Sequence, residues 1–140
     1  NPKKAYFGQK DLQQLLIVKS LAKKLNLPVE IVEIPTIREE NGLAISSRNN
    51  LLNKKQLETA RLIYNSLLFC RDNKALYSIE KLKMLIQKNF LEQNDIRLEY
   101  VEFVDVSTLQ PISKFQEKDK NAICIAAYIE GVRLIDNIIL

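Results

Sequence analysis

The stretch AYFGQKDLQQLLIVKSLAKKLNLPVEIVEI, residues 5–34, decides the architecture. Its first four residues read as the end of a strand. From Asp11 a helical pattern begins, with Leu15, Val18, Leu21, Ala22 and Leu25 on one face. Asn26 to Pro28 stops the helix, and VEIVEI at 29–34 is β-branched and apolar enough for a strand buried on at least one face. The order β, α, β is the crossover of a parallel sheet. One crossover alone leaves sheet edges and faces unpartnered, so a segment upstream is expected to supply the rest. The chain opens on Asn1 with no hydrophobic leader, and its single Met is Met84, which carries the same expectation that the sequence is not an intact translation product.

Working outward, TIREENGLAISSRNN after Pro35 shows no sustained period over some fifteen residues, a length that inside a compact domain belongs to function or disorder. Asn53 then caps a helix, with Gln56 completing a capping box and Leu57, Ala60, Tyr64, Leu67 and Leu68 as its stripe. Ser78 caps another, with Glu80 in its first turn and Leu82, Leu85, Ile86 and Phe90 on one side. A strand is expected from Arg97 to Val106, where Glu99, Glu102 and Asp105 break strict alternation and a bulge fits. The polar stretch 107–121 reads as a loop, Ala122 to Ile129 as a central strand, and Gly131-Val132 as a tight hairpin turn returning the chain through 133–138. The fold class is therefore α/β plus α+β: one β-α-β unit followed by two helices and a three-stranded antiparallel sheet.

With 140 residues, 46% hydrophobic and 27% charged, and only 3 Gly and 4 Pro, the chain has a globular rather than a disordered or collagen-like composition. Its longest apolar runs, Ile123 to Tyr128 and Leu12 to Val18, fall well short of the roughly 20 residues of a membrane span. A net charge of +4 favours an anionic partner without singling out nucleic acid. The charge is unevenly placed: Lys3, Lys4, Lys10, Lys19, Lys23 and Lys24 face only Asp11 in the first 24 residues. Cys70 and Cys124 sit in apolar patterns with no metal or redox spacing, as reduced core residues of a reducing, cytoplasmic compartment would. The absence of histidine removes the commonest neutral-pH general base and every histidine metal site.

Two segments carry chemistry. In FGQKD, Phe7 to Asp11, Gly8 lies at a strand-to-helix turn where a ligand can approach the backbone, the helix start offers N–H groups, and Lys10 adds charge. The same residues also fit a purely local role, with Gly8 making the turn and Asp11 capping the helix through a box with Gln14. In AISSRN, Ala44 to Asn49, Ser46 and Ser47 offer hydroxyls and Arg48 a bidentate fork for phosphate oxygens, although an ordinary solvated turn has the same composition. Loops that follow parallel strands leave the same carboxyl edge, so both segments are expected to converge on one crevice.

At these residues the chain resembles the pantothenate synthetases, which condense pantoate with β-alanine using ATP. FGQKDLQQL, PTIREENGLAISSRN and the closing RLIDNI match that family in order and spacing, over essentially the whole chain. The resemblance is to the carboxy-terminal half of such an enzyme. It implies a remnant of a Rossmann-like nucleotidyltransferase domain at 1–36, a phosphate-binding loop and hinge at 37–50, and a small carboxy-terminal domain at 51–140. By resemblance, Gly8, Gln9, Lys10 and Asp11 hold ATP, with Lys10 on the phosphates and Asp11 near the ribose, and Gln14 binds pantoate. Ile37 offers its backbone to the adenine, and Ile45, Ser46, Ser47 and Arg48 grip the triphosphate. Lys10, Ser46, Ser47 and Arg48 are thus the candidate catalytic groups. Asn41 and Ile45 depart mildly from the family pattern. The implied partners are ATP with Mg²⁺, whose ligands lie outside this chain, pantoate and β-alanine, in a homodimeric parent that binds neither nucleic acid nor membrane. The family's His-x-Gly-His motif is absent, which implies that this chain alone is inactive. An RNA- or polyanion-binding module, or a plain interaction domain, is the alternative.

Overall fold

The computed structural model describes residues 2–116 and 120–140. Strands β1 (Lys4–Gly8) and β2 (Glu30–Ile34) pair in parallel with Gly8 opposite Ile34. Helix α1 (Leu12–Lys24) connects them. A 3-10 turn, Gln9–Asp11, separates β1 from α1, and it overturns the capping expectation. Asp11 ends that turn at φ −95°, ψ 58° and makes no side-chain bond to the helix N–H groups, so no capping box with Gln14 forms. Gly8 is likewise not required by the turn. Its φ of −73° suits any residue, and a Cβ there would meet nothing within 4 Å.

Leu12, Leu15 and Ala22 are buried, but Leu21 and Leu25 are 50% and 59% exposed, so only part of the expected α1 stripe is covered. No residue of β2 is fully buried either. Two strands supply too little surface to cover a helix and both sheet faces, and a pair this small is marginal without further packing. Some of that packing comes from the second half of the chain, where Leu12 and Leu15 share a core with Val104 and Ala122, ringed by Phe7, Cys124 and Ile139.

That second half is a three-stranded antiparallel sheet, β3 (Arg97–Asp105), β4 (Asn121–Ile129) and β5 (Val132–Ile139), in the order β3-β4-β5. Helices α2 (Lys54–Asn73) and α3 (Ile79–Leu91) cover one face. Both caps form as the sequence predicts. Asn53 accepts from the Gln56 N–H while the Gln56 side chain accepts from the Asn53 N–H, and Ser78 accepts from the Lys81 N–H. Alternation along β4 turns Ile123, Ile125, Ala127 and Ile129 toward α2 and α3, and Ala122 and Cys124 toward α1, which is why both of its faces read as apolar. The register shift between Leu98 and Tyr100 supplies the bulge at Glu99. The hairpin turn is centred one residue earlier than expected. Ile129 pairs with Val132, and Glu130 and Gly131 both take positive φ, 44° and 85°, as a two-residue turn of the primed type requires.

Of the expected loop at 107–121, residues 117–119 lie outside the described residues. Its first turn is organised by Asp105, whose carboxylate accepts from the Ser107 hydroxyl and N–H and from Thr108. Both thiols are free, and burial pushes Cys70 up to about 12 and Cys124 up to about 11, so neither is a thiolate at neutral pH. Among the described residues, no helix is long and apolar enough to cross a membrane.

The bonds from Ser107, and secondarily from Thr108, hold the Asp105 carboxyl at about 2 against an ordinary 3.8. A depressed folded-state value stabilises the fold above the unfolded value, and the benefit is lost as pH falls through the folded one. Denaturant midpoints of the wild type should therefore fall between pH 4 and pH 2 more steeply than those of Asp105→Ala. Parallel profiles would contradict this.

Candidate functional site

The site begins at the shared carboxyl edge of β1 and β2. From β1 the chain enters the Gln9–Asp11 turn, and from β2 it enters the 35–51 segment. That segment is more regular than its composition suggests. Arg38 bridges Ala44 in antiparallel fashion, Ile45 N–H donates to the Ile37 carbonyl at 3.0 Å, and Gly42 N–H donates to the Glu39 carbonyl at 2.8 Å. It is a short hairpin. A 3-10 turn, Ser47–Leu51, follows, capped by the Ser46 hydroxyl, which accepts from the Arg48 N–H at 3.3 Å. Asn49 ties this turn back by donating to the Ala44 carbonyl at 3.1 Å.

Strand β5 holds both segments. Alternation sends consecutive residues to opposite faces of a strand. Asp136 faces the α2 side and takes the Arg38 guanidinium in two bonds of 2.5 and 3.0 Å. The Asp136 side chain is 4% exposed and that of Arg38 17%. Arg38 also stacks on Tyr64 of α2, 4.0 Å from the ring centroid, and donates to the Gly42 carbonyl at 3.2 Å. Gly42 has φ +89°, and a Cβ there would lie 2.3 Å from the Tyr64 ring, so only glycine allows this stack. Asn137 faces the other side, where its amide donates to the Gln9 carbonyl at 3.0 Å and the Lys10 carbonyl at 2.8 Å. β5 is an edge strand, and its backbone carbonyls are also engaged: Arg48 donates to Arg133 O at 2.9 Å and Arg38 to Asn137 O at 3.4 Å. Guanidinium groups thus cover an edge that would otherwise offer unpaired acceptors.

Lys10 and Ser46 line one void of about 10 Å³ together with Asn49 and Asp136, room for no more than a single water. Lys10, Asp11 and Gln14 line an adjoining cleft of about 200 Å³ with Arg133, Tyr100 and Asn137. Arg48 stands on the same strand through its bond to Arg133. Ser47 and Arg48 are exposed, Gln9 is half-buried, and Gly8 is exposed with open space above its backbone. Ile37 and Ile45 are joined by their backbones while their side chains are 67% and 47% exposed. Cations, hydroxyls and helix-start N–H groups around one edge suit an anion such as phosphate. Among the described residues no three His, Cys, Asp or Glu side chains stand close enough to hold a metal. A larger groove of about 390 Å³ beneath α1, including Phe7, Val18, Leu21 and Leu27, is lined wholly by apolar residues and has no polar side chain to orient a ligand.

Arg38, Asp136 and Asn137 escape a search for reactive motifs because their side-chain hydrogen bonds go to other groups of the protein. Their signal is nevertheless present. Asp136-Asn137 interrupts the apolar run LI–II of β5, and two adjacent polar residues in a strand cannot both face solvent if the sheet is covered on both sides.

The arrangement defines a class: an α/β protein that presents cations and hydroxyl donors to an anion at the carboxyl edge of parallel strands. The family model for pantoate-beta-alanine ligase matches residues 1–139. A pantothenate synthetase of Cytophaga hutchinsonii is 45% identical over 150 residues, covering 99% of this chain and 50% of that protein. The crystal structure of the Thermus thermophilus pantothenate synthetase superposes with a TM-score of 0.89 at 35% identity, covering 97% of this chain and 49% of the other. The Francisella tularensis pantoate-beta-alanine ligase, solved in complex with beta-gamma ATP and beta-alanine, superposes with a TM-score of 0.65 at 30% identity over 98% and 43% of the two chains. The chain belongs to the pantoate-beta-alanine ligase family and spans about half the length of the relatives it matches.

Removing one partner of a buried ion pair leaves an uncompensated charge. Asp136→Ala, which strands Arg38, should cost about 3–5 kcal/mol in denaturant unfolding. A loss below about 1 kcal/mol, the range of an exposed pair, would contradict the role given to Asp136.

Proposed function

We propose that this chain forms the carboxy-terminal half of a pantothenate synthetase and supplies the groups that hold the phosphates of ATP. In this reading residues 1–36 complete a Rossmann-like nucleotide domain, 37–50 are the phosphate loop and hinge, and 51–140 form the small carboxy-terminal domain. The observation that carries it is that the segments leaving β1 and β2 at their shared edge are both bonded to β5, Lys10 through its carbonyl to the Asn137 amide and Arg48 through its guanidinium to the Arg133 carbonyl. Family membership gives the reaction class.

The reaction has two displacements. The pantoate carboxylate attacks the α-phosphorus of ATP, and the bond to the bridging oxygen breaks with release of pyrophosphate. The β-alanine amine then attacks the acyl carbon of the pantoyl adenylate, and AMP leaves. Neither step needs a strong side-chain base, so positioning and charge stabilisation dominate. Negative charge grows on the departing pyrophosphate, where Lys10 and Arg48 are assigned and Ser46 and Ser47 donate hydrogen bonds. The open backbone at Gly8 and Gln9 admits the nucleotide, Asp11 accepts from the ribose, and the Ile37 backbone meets the adenine, with Ile45 beside it. Gln14 orients pantoate from the cleft it shares with Lys10. This donor set fits phosphate oxygens rather than a metal, so Mg²⁺ belongs to the incoming ATP complex and to groups outside this chain.

In the complete enzyme, Lys10→Ala or Arg48→Ala should lower kcat on the order of 10²-fold, the loss typical of one transition-state donor. Neither side chain belongs to the apolar core clusters, Lys10 being half-buried and Arg48 exposed, so the unfolding midpoint should move far less than for Asp136→Ala. Near-normal turnover in both variants would refute the assignment. The 140-residue chain alone, which lacks the family's histidine motif, should make no pantothenate from pantoate, β-alanine and Mg-ATP. Turnover by the purified chain would contradict that.

A further inference from the structure

The Gln9–Asp11 turn that carries Lys10 has only three residues. A 3-10 turn this short has poor internal hydrogen-bond geometry and does not fix its own orientation. Its direction is set from outside. The Asn137 amide, in a residue 3% exposed, donates to the carbonyls of Gln9 and Lys10 at once. Turning the amide over would bring its oxygen against both carbonyls, so only one orientation makes these bonds. The cost of that orientation is visible, since the Asn137 Oδ1 is buried and has no hydrogen-bond partner. A buried acceptor left unpaired calls for an explanation other than stability. Four residues earlier on β5, the Arg133 carbonyl accepts from Arg48. One strand therefore fixes the backbone under Lys10 and the guanidinium of Arg48 relative to each other.

From this we infer that Asn137 is a positioning residue: from the wall of the cleft it holds the backbone of Lys10 so that the ammonium meets the phosphates as pyrophosphate departs. The inference rests on the phosphate role proposed above for Lys10. Its effect appears in the transition state more than in ATP binding, because misplacing a group by about 1 Å can cost about 10²-fold in rate.

The test is a double-mutant cycle in the complete enzyme, comparing wild type, Asn137→Ala, Lys10→Ala and the double variant, with folding checked by circular dichroism and denaturant midpoints. Asn137→Ala should lower kcat at saturating ATP by about 10- to 10²-fold with a much smaller change in the KM for ATP. In the Lys10→Ala background the same substitution should cost no more than about 2-fold, because the group it positions is gone. If Asn137→Ala slows both backgrounds by the same factor, or leaves the wild type unchanged, the inference is overturned while the role of Lys10 stands. Full activity of Lys10→Ala would overturn the role of Lys10 and this inference with it. Should Asn137→Ala fail to fold, Asn137→Ser, which perturbs packing less, is read by the same cycle.

Discussion

The structure turns on two neighbouring side chains of an edge strand that face opposite ways. Asp136 grips Arg38 on one face of β5 and Asn137 grips the Gln9–Lys10 turn on the other. Burying a carboxylate and a guanidinium is costly unless every contact is satisfied. Here Arg38 has two carboxylate bonds, two carbonyls and an aromatic face. The pair welds the hairpin after β2 to the three-stranded sheet, and its geometry is specific enough to demand glycine at position 42.

This clamp explains how two strands that bury little of their own surface can present an ordered edge. The β1–β2 pair and α1 leave Tyr6, Leu21 and Leu25 well exposed, so local packing cannot hold the exits of the strands in place. The holding force comes from β5, which reaches both exits at once. Under the proposed function, the consequence for chemistry would be preorganisation, because the backbone of Lys10 and the guanidinium of Arg48 are both tied to one strand before a ligand arrives. Cys124, which lines the cleft, is held protonated by its burial, together with Glu102 and Asp136 nearby.

Much of the fold was legible because local rules and tertiary packing agree. The capping box at Asn53, the Ser78 cap, the doubly covered β4 and the bulge at Glu99 all follow from residue type and period. The departures from local rules have physical causes. Asp11 has the composition of a cap but sits at the end of a 3-10 turn, at φ −95° and ψ 58°, and its carboxylate makes no capping bond. The hairpin turn slipped by one residue because Glu130 accepts a positive φ that composition does not advertise. Leu21 and Leu25 continue the α1 stripe in sequence but stay exposed, because two strands cover only part of the helix. For the candidate site, FGQKD and AISSRN stand out by the groups they carry, and parallel pairing predicts that they share an edge. The residues that hold them there are visible only as polar interruptions of a strand, whose partners lie 98 to 128 positions away.

The central claim is that these two separated segments hold the triphosphate of one nucleotide between them. A crystal structure of the complete enzyme with a non-hydrolysable ATP analogue tests it most directly. The account predicts phosphate oxygens within hydrogen-bond distance of the Lys10 ammonium, the Arg48 guanidinium and the hydroxyls of Ser46 and Ser47, with the Asn137 bonds to the turn intact. A triphosphate seated away from both Lys10 and Arg48 would contradict it.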